Sequence, residues 1–398
     1  MKLFSPCPRG TEAALSEELR QLGADILETP PGGVRYAGDR ALAYRANLHA
    51  RIPSRVLMQV AEGDYRNEKT LYALALDTPW ESWFDATSSL RVDVSAIRSP
   101  LRSLNFATLK VKDAIVDRLR ERTGQRPSID TRAPDVRVFA FLTERRATLY
   151  LDLSGEPLFK RGWRGRDDKG EAPLKENLAA ALLALAGWSP GQALYDPFCG
   201  SGTILIEAAQ MQAGIAPGLS RSFALQRLRD HDSGLFDRLR ADAMRAARMP
   251  HPDAAPIAGS DIDPRMIELA RRNAERAGLA RNAITFEVRD FRSAPAPFTP
   301  PGKVVTNPPY GERIGLRHDG SSADEAVIGM IGANLKRHFG GWQVWMLSND
   351  RQWPRQLGLR EKRKYPLYNG AIECRLWLRG LRRRRASVVY AGQSVDKP

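Results

Sequence analysis

Asp196-Pro197-Phe198-Cys199-Gly200-Ser201-Gly202-Thr203, followed later in the chain by Thr306-Asn307-Pro308-Pro309-Tyr310-Gly311, is the pair of stretches that decides how this sequence reads. The first predicts a glycine turn between a strand and a helix that opens at Thr203. Gly200 and Gly202 carry no side chain there, so a nucleoside-sized ligand can lie against backbone. The helix start adds N–H groups and a positive dipole end. No Gly-Lys-Ser/Thr follows, which excludes a phosphate-binding P-loop, and the third glycine of a dinucleotide fingerprint is missing. Asp196 at the strand end repels a phosphate but tolerates an amino-bearing ligand. A tight turn that only packs helix on sheet is the plainer alternative.

Asn307-Pro308-Pro309-Tyr310 closes the short strand Val304-Val305-Thr306. An exocyclic amine on a base is a poor nucleophile, because its lone pair is delocalised into the ring. The Asn307 side-chain oxygen and the Pro308 carbonyl can accept its two N–H bonds and turn the lone pair towards a methyl donor. The prolines hold both acceptors in place, which is preorganisation. Tyr310 is suited to stacking on the base. Taken alone the tetrapeptide is a stiff loop; behind the glycine turn it points to methylation of an amine.

Two acidic residues complete the arrangement. Gly259-Ser260-Asp261-Ile262-Asp263-Pro264 ends the next strand, where Asp261 can accept the hydroxyls of a ribose and Asp263 can cap the helix after Pro264. Asp261 lies well beyond the ~20 residues that separate turn from acid in dinucleotide folds, so an insertion over 214–255 is expected. Asp290, after the strand 283–288, can accept an adenine amino hydrogen, or can simply be a turn residue.

Composition narrows the partners. With 398 residues, two or three domains are expected. Hydrophobic residues at 42% and charged residues at 27% fit a soluble globular chain. A net charge of +15 favours a polyanion, nucleic acid before membrane, although frequent arginine alone can inflate it. Cys7, Cys199 and Cys374 are far apart and form no CxxC pair, so neither a disulfide framework nor a zinc site is expected. No apolar run reaches the ~18 residues of a membrane span, and the start lacks a signal-peptide core, so the cytoplasm is the expected compartment.

The chain divides by pattern. Residues 1–50 read as a small α/β unit, with Thr11 capping a helix over 12–22 and strands near 26–27 and 33–36. Residues 51–155 carry alternating strands at 90–96, 136–142 and 147–153 around a helix over 108–119, whose apolar face includes Leu109. Residues 156–174 form a polar, basic connection. From 175 to 380, helices and strands alternate with helices over 175–186, 203–212, 265–278 and 324–339, which predicts a parallel sheet. A hairpin around Tyr368-Asn369-Gly370 adds antiparallel strands at the edge. Residues 381–398, with Arg382 to Arg385 in a row, read as a basic tail.

These residues resemble a known family. The C-terminal half looks like an α/β, Rossmann-like class I S-adenosylmethionine-dependent methyltransferase with the Asn-Pro-Pro-Tyr motif. The whole chain resembles the THUMP-domain RNA methyltransferases that make N2-methylguanosine, bacterial 23S ribosomal RNA enzymes among them. The resemblance is carried by Cys7-Pro8-Arg9-Gly10-Thr11-Glu12, Arg161-Gly162-Trp163-Arg164, Ala172-Pro173-Leu174-Lys175-Glu176-Asn177 and Asn307 to Gly315. Tyr44-Arg45-Ala46-Asn47-Leu48 adds a weaker match.

The resemblance implies a ferredoxin-like domain over 1–50, a THUMP RNA-binding domain over 51–155 and a methyltransferase domain over 175–380. It implies S-adenosylmethionine without a metal, held by Asp196, Phe198, Gly200, Gly202, Thr203, Asp261, Ile262, Asp290 and Phe291, with Asn307, Pro308, Pro309 and Tyr310 at the reacting base. Arg161, Trp163, Arg164 and Arg166 combine cation and aromatic and are expected to touch RNA, unless they are a solvated linker. The expected partner is structured RNA, 23S ribosomal RNA or a large-subunit precursor, with no obligate protein partner. Guanine-N2 methylation of tRNA and an RNA-binding assembly role are the alternatives; adenine-N6 methylation of DNA shares the tetrapeptide but not the front half. Some relatives carry a second methyltransferase domain after the first; this sequence ends in a basic tail, so that second activity is not expected.

Overall fold

The computed structural model describes residues 1–165, 174–247, 254–308, 322–359 and 362–381. The chain opens with β1 (Lys2–Pro6), α1 (Glu12–Gln21), β2 (Asp25–Glu28), β3 (Gly33–Ala37) and α2 (Arg40–His49). It continues through β4 (Leu57–Asp64), α3 (Glu68–Asp77), β5 (Leu90–Ala96), α4 (Leu104–Thr123), β6 (Val136–Leu142) and β7 (Arg146–Asp152). The seven strands form one sheet, ordered β2-β3-β1-β4-β7-β6-β5 and antiparallel except between β5 and β6. The two front units therefore share a sheet, joined where Leu3 and Phe4 of β1 pair with Met58 and Leu57 of β4.

Two local expectations need correction. Thr11 stands before α1 but does not cap it; its hydroxyl donates to the Pro8 carbonyl. The Glu12 carboxylate instead accepts from the N–H groups of Gly10 and Gly32, tying the loop to the sheet. Leu109 is 50% exposed, because it lies two residues from Val111 and so on the opposite side of α4. The buried stripe of that helix is Ala107, Val111, Ala114, Ile115 and Leu119.

The second half runs α5 (Glu176–Leu185), β8 (Leu194–Asp196), α6 (Thr203–Gln212), α7 (Ser233–Ala246), β9 (Ile257–Asp261), α8 (Pro264–Arg276), β10 (Thr285–Val288) and β11 (Lys303–Thr306). It closes with α9 (Ser322–His338), β12 (Gln343–Ser348), α10 (Trp353–Gln356), β13 (Arg363–Asn369) and β14 (Ile372–Gly380). The sheet order is β10-β9-β8-β11-β12-β14-β13, parallel from β10 to β12, with β14 antiparallel to both neighbours. The chain winds outward from β8 to β10, then returns to place β11 beside β8. That reversal is a topological switch point, where open α/β sheets leave a crevice at the strand ends.

The halves are locked together at several points. Helix α5 is apolar on all sides because it lies between two cores: Ala180 and Ala181 pack in the front one, Leu178, Leu182 and Leu183 in the rear one. The expected insertion folds onto α2, where Tyr44 meets Phe236 edge-on at 5.6 Å and Leu48 accepts a hydrogen bond from Gly218. At the centre Glu207 of α6, fully buried, accepts from Arg51 at 3.0 Å and from Arg161 at 3.1 Å. Arg161 also donates to the carbonyls of Leu158 and Arg51. Burial alone would raise the Glu207 carboxyl; the two guanidinium groups outweigh it and hold the carboxyl below its ordinary value.

Removing the carboxylate leaves two buried cations without an anion. Glu207→Ala is predicted to lower unfolding free energy by about 3–5 kcal/mol, measured by chemical denaturation near neutral pH. A loss below ~1 kcal/mol, the range of a surface pair, would contradict this placement.

Candidate active site

Strands β8 and β11 are neighbours at the switch point and both end in the residues that the sequence singles out. The Thr306 hydroxyl donates to Asp196 Oδ1 at 2.5 Å, so the last residue of β11 is tied to the last of β8. Asn307, half-buried, and Pro308, buried, follow directly. One hydrogen bond thus joins the glycine turn to the start of the Asn-Pro-Pro segment. Pro309 and Tyr310 lie outside the described residues.

Asp196 is deeply buried. Burial pushes its carboxyl up to about 7, and hydrogen bonds from the Thr306 hydroxyl and the Phe198 N–H offset only part of that. The turn that follows is held from all sides by hydrogen bonds. Cys199 N–H donates to Ser260 O at 2.9 Å, and Gly202 N–H to Cys199 O at 2.8 Å. The side chain of Asn273 donates to Ser201 O at 3.1 Å. Gly200 and Gly202 adopt φ of +50° and +85°, a region that favours glycine. A Cβ at Gly200 would meet no protein atom within 4 Å, so its open side is a backbone cradle that a side chain would fill.

Asp261 Oδ2 accepts from Gly200 N–H at 3.0 Å, and its Oδ1 accepts from Asp263 N–H at 2.9 Å. The acid therefore shapes the turn itself, with lone pairs left for a ligand. Burial raises its carboxyl above the ordinary carboxylate value. Asp263 caps α8 through Arg265 N–H, with Pro264 in the first turn. Ile262, directly after β9, and Val288, paired with Asp261 at the end of β10, are 63% and 53% exposed.

Asp290 is already engaged: Arg292 approaches both its oxygens at 2.9 Å through Nε, and the pairing holds the carboxyl low. Phe291 is buried rather than facing the crevice, edge-on to Phe198 at 5.4 Å.

The basic segment departs from the RNA-contacting expectation. Arg161 is 4% exposed and its guanidinium is committed to Glu207 and two carbonyls. Trp163 is 2% exposed and packs in the rear core. Arg164 donates to Glu176, to the Leu174 carbonyl and to Thr203. Arg161, Trp163 and Arg164 thus act as an internal strut within this connection; Arg166 lies outside the described residues. The hydrogen-bonding roles of Thr306, Asn273, Glu176 and Glu207 are not visible in the sequence. A carboxylate at position 207 between the apolar residues Ile204-Leu205-Ile206 and Ala208-Ala209 is the one available signal, since a buried charge needs a partner.

A mostly parallel sheet ordered β10-β9-β8-β11-β12-β14-β13, with β14 inserted antiparallel beside β12 and a glycine turn after β8, is the class I methyltransferase fold. Residues 161–377 match the RMKL-like methyltransferase domain, residues 65–152 a THUMP domain and residues 2–57 the RlmL ferredoxin-like domain. The chain belongs to the RMKL-like methyltransferase family. It is 41% identical over 386 residues to a "Ribosomal RNA large subunit methyltransferase K/L" of Syntrophotalea carbinolica, covering 94% of this chain and 53% of that one. The chain thus spans about half the length of the curated relatives it matches. Among solved structures, a "possible methylase" from Clostridium difficile 630 superposes with a TM-score of 0.86 at 30% identity, covering 96% of this chain and 99% of that one. The structure of SMU.472 complexed with SAH gives 0.84 at 30% identity, covering 96% and 98%.

The Asp196 carboxyl sets a pH test. Its value in the folded chain, about 7, lies above the ordinary 3.8, so the fold binds its proton more tightly than the unfolded chain does. Wild-type stability then falls as pH rises between those values. Asp196→Asn, which has no such proton, is predicted to gain on wild type across that window, by on the order of 4 kcal/mol at most, and to level off above it. Melting both proteins without cofactor from pH 4 to pH 8 checks this; a difference independent of pH would contradict it.

Proposed function

We propose that this chain transfers a methyl group from S-adenosylmethionine to the exocyclic N2 amine of a guanosine in 23S ribosomal RNA. The observation that carries this reading is the Thr306–Asp196 hydrogen bond, which sets the glycine turn and Asn307 at the same crevice. The cofactor fits that crevice: Gly200 leaves open backbone, α6 presents its N-terminus, Asp261 keeps lone pairs, and Ile262 offers apolar surface for a base. Asp196, Phe198, Gly200, Gly202, Thr203, Asp261 and Ile262 are the residues proposed to hold it, with Asp290 only if it shares its carboxylate with Arg292. When bound, S-adenosylmethionine supplies an electrophilic methyl group whose sulfonium needs no further activation.

The chain's own part is positioning. Asn307 Oδ1 and the Pro308 carbonyl accept the two amine N–H bonds, which draws the nitrogen lone pair out of the ring and aims it across the crevice. Tyr310 stacks on the extruded base. The proton left on nitrogen can depart to water after transfer, so no strong general base is required. The front half is proposed to grip structured RNA, in keeping with the THUMP match and the charge of +15. The division at 50, 155, 174 and 380 is part of the same proposal, as is the cytoplasm as its compartment. No helix among the described residues is long and apolar enough to cross a membrane.

Asn307→Ala tests the mechanism. It is predicted to lower methyl transfer from labelled S-adenosylmethionine to large-subunit ribosomal RNA by roughly 10²–10³-fold, while calorimetric affinity for S-adenosylhomocysteine stays within about twofold. Full methyl transfer by this variant would sink the role given to Asn307.

A further inference from the structure

Arg164 sits where the connection between the halves meets the glycine turn. Its Nε donates to Glu176 Oε1 at 2.6 Å, and its Nη2 donates to the Leu174 carbonyl at 2.7 Å and to Thr203 Oγ1 at 2.9 Å. Glu176 is the first residue of α5 and Thr203 the first of α6, and each is only 5% exposed. The guanidinium also lies 5.0 Å over the ring of the buried Trp163. Thr203 and Glu207 are one turn apart on α6, so they share a face of that helix. Arg164 holds the first and Arg161 the second. Residues 161–164 therefore run along α6 and clamp its first two turns.

We propose, resting on the function above, that Arg164 is a positioning residue for the cofactor rather than a contact for RNA. Its planar fork spans Glu176, the Leu174 carbonyl and Thr203 at once, which fixes the entry angle of α6 just after Gly202. The free N–H groups of that helix start face the crevice where the cofactor binds. Releasing the guanidinium would leave the Glu176 carboxylate buried and unpaired, so the clamp does not open without cost. Lysine cannot reproduce it, because a point charge can pair with Glu176 but cannot fork to three acceptors in one plane.

The test compares wild type, Arg164→Met and Arg164→Lys by calorimetric titration with S-adenosylhomocysteine, by thermal melting, and by steady-state kinetics. Arg164→Lys is expected to melt near wild type yet bind S-adenosylhomocysteine about tenfold more weakly. Its KM for S-adenosylmethionine rises alongside, while kcat at saturating cofactor stays within about threefold. Binding to a transcript of large-subunit ribosomal RNA keeps the wild-type salt slope; a phosphate contact would lower that slope by roughly one. If Arg164→Met fails to fold, Arg164→Lys alone decides. Cofactor affinity within twofold of wild type in the folded variants overturns the inference, as does a reduced salt slope with unchanged cofactor affinity. A wild-type protein that bound no S-adenosylhomocysteine would overturn the proposed function as well.

Discussion

A carboxylate with no access to water governs how this chain is assembled. Glu207 stands on α6, one turn after the glycine turn, and its charge is met by Arg51 from the front half and Arg161 from the connection. An unpaired charge at that depth costs several kcal/mol, so α6, the connection and the front sheet are held to one arrangement. Such a cluster adds less to net stability than its short distances suggest, because desolvation offsets much of the attraction. Its effect is geometric: only one docking of the halves satisfies all three groups. Glu18 reinforces it by accepting the backbone N–H groups of Arg51 and Ile52.

That geometry reaches the chemistry through one helix. Helix α6 starts directly after the glycine turn at the switch point, and the Asp196–Thr306 hydrogen bond ties the ends of β8 and β11 together there. Asn307 and Pro308 therefore start from a strand whose position is fixed by the same sheet that carries the glycine turn. The front sheet, continuous from β2 to β5, is docked onto this assembly through α2, α5 and the loop after β1. Arg9 of that loop lies 4.8 Å over the ring of Tyr368 in the edge hairpin.

Much of this was legible in the sequence because local and global preferences agree. Helix α6 spans the expected residues, since Gly202 bars its extension backwards and the apolar run from Thr203 belongs inside. The strands β5 and β6 follow clean alternation. Strand β4 was missed because a register shift between Gln59 and Ala61 breaks its period of two. Arg161 was misread for a deeper reason: a cation in a basic stretch looks the same whether it faces phosphate or a carboxylate 46 residues further on. Periodicity reveals which face of an element is apolar; it does not reveal which charges find each other across the fold.

The most direct measurement of the central claim is the identity of the methylated nucleoside. Purified protein is incubated with labelled S-adenosylmethionine and RNA from cells lacking the gene, with large-subunit ribosomal RNA and bulk tRNA in separate reactions, and the products are digested and separated. The account predicts label in N2-methylguanosine from the ribosomal RNA and none from tRNA. Label in any other nucleoside, or in N2-methylguanosine from tRNA alone, would contradict it.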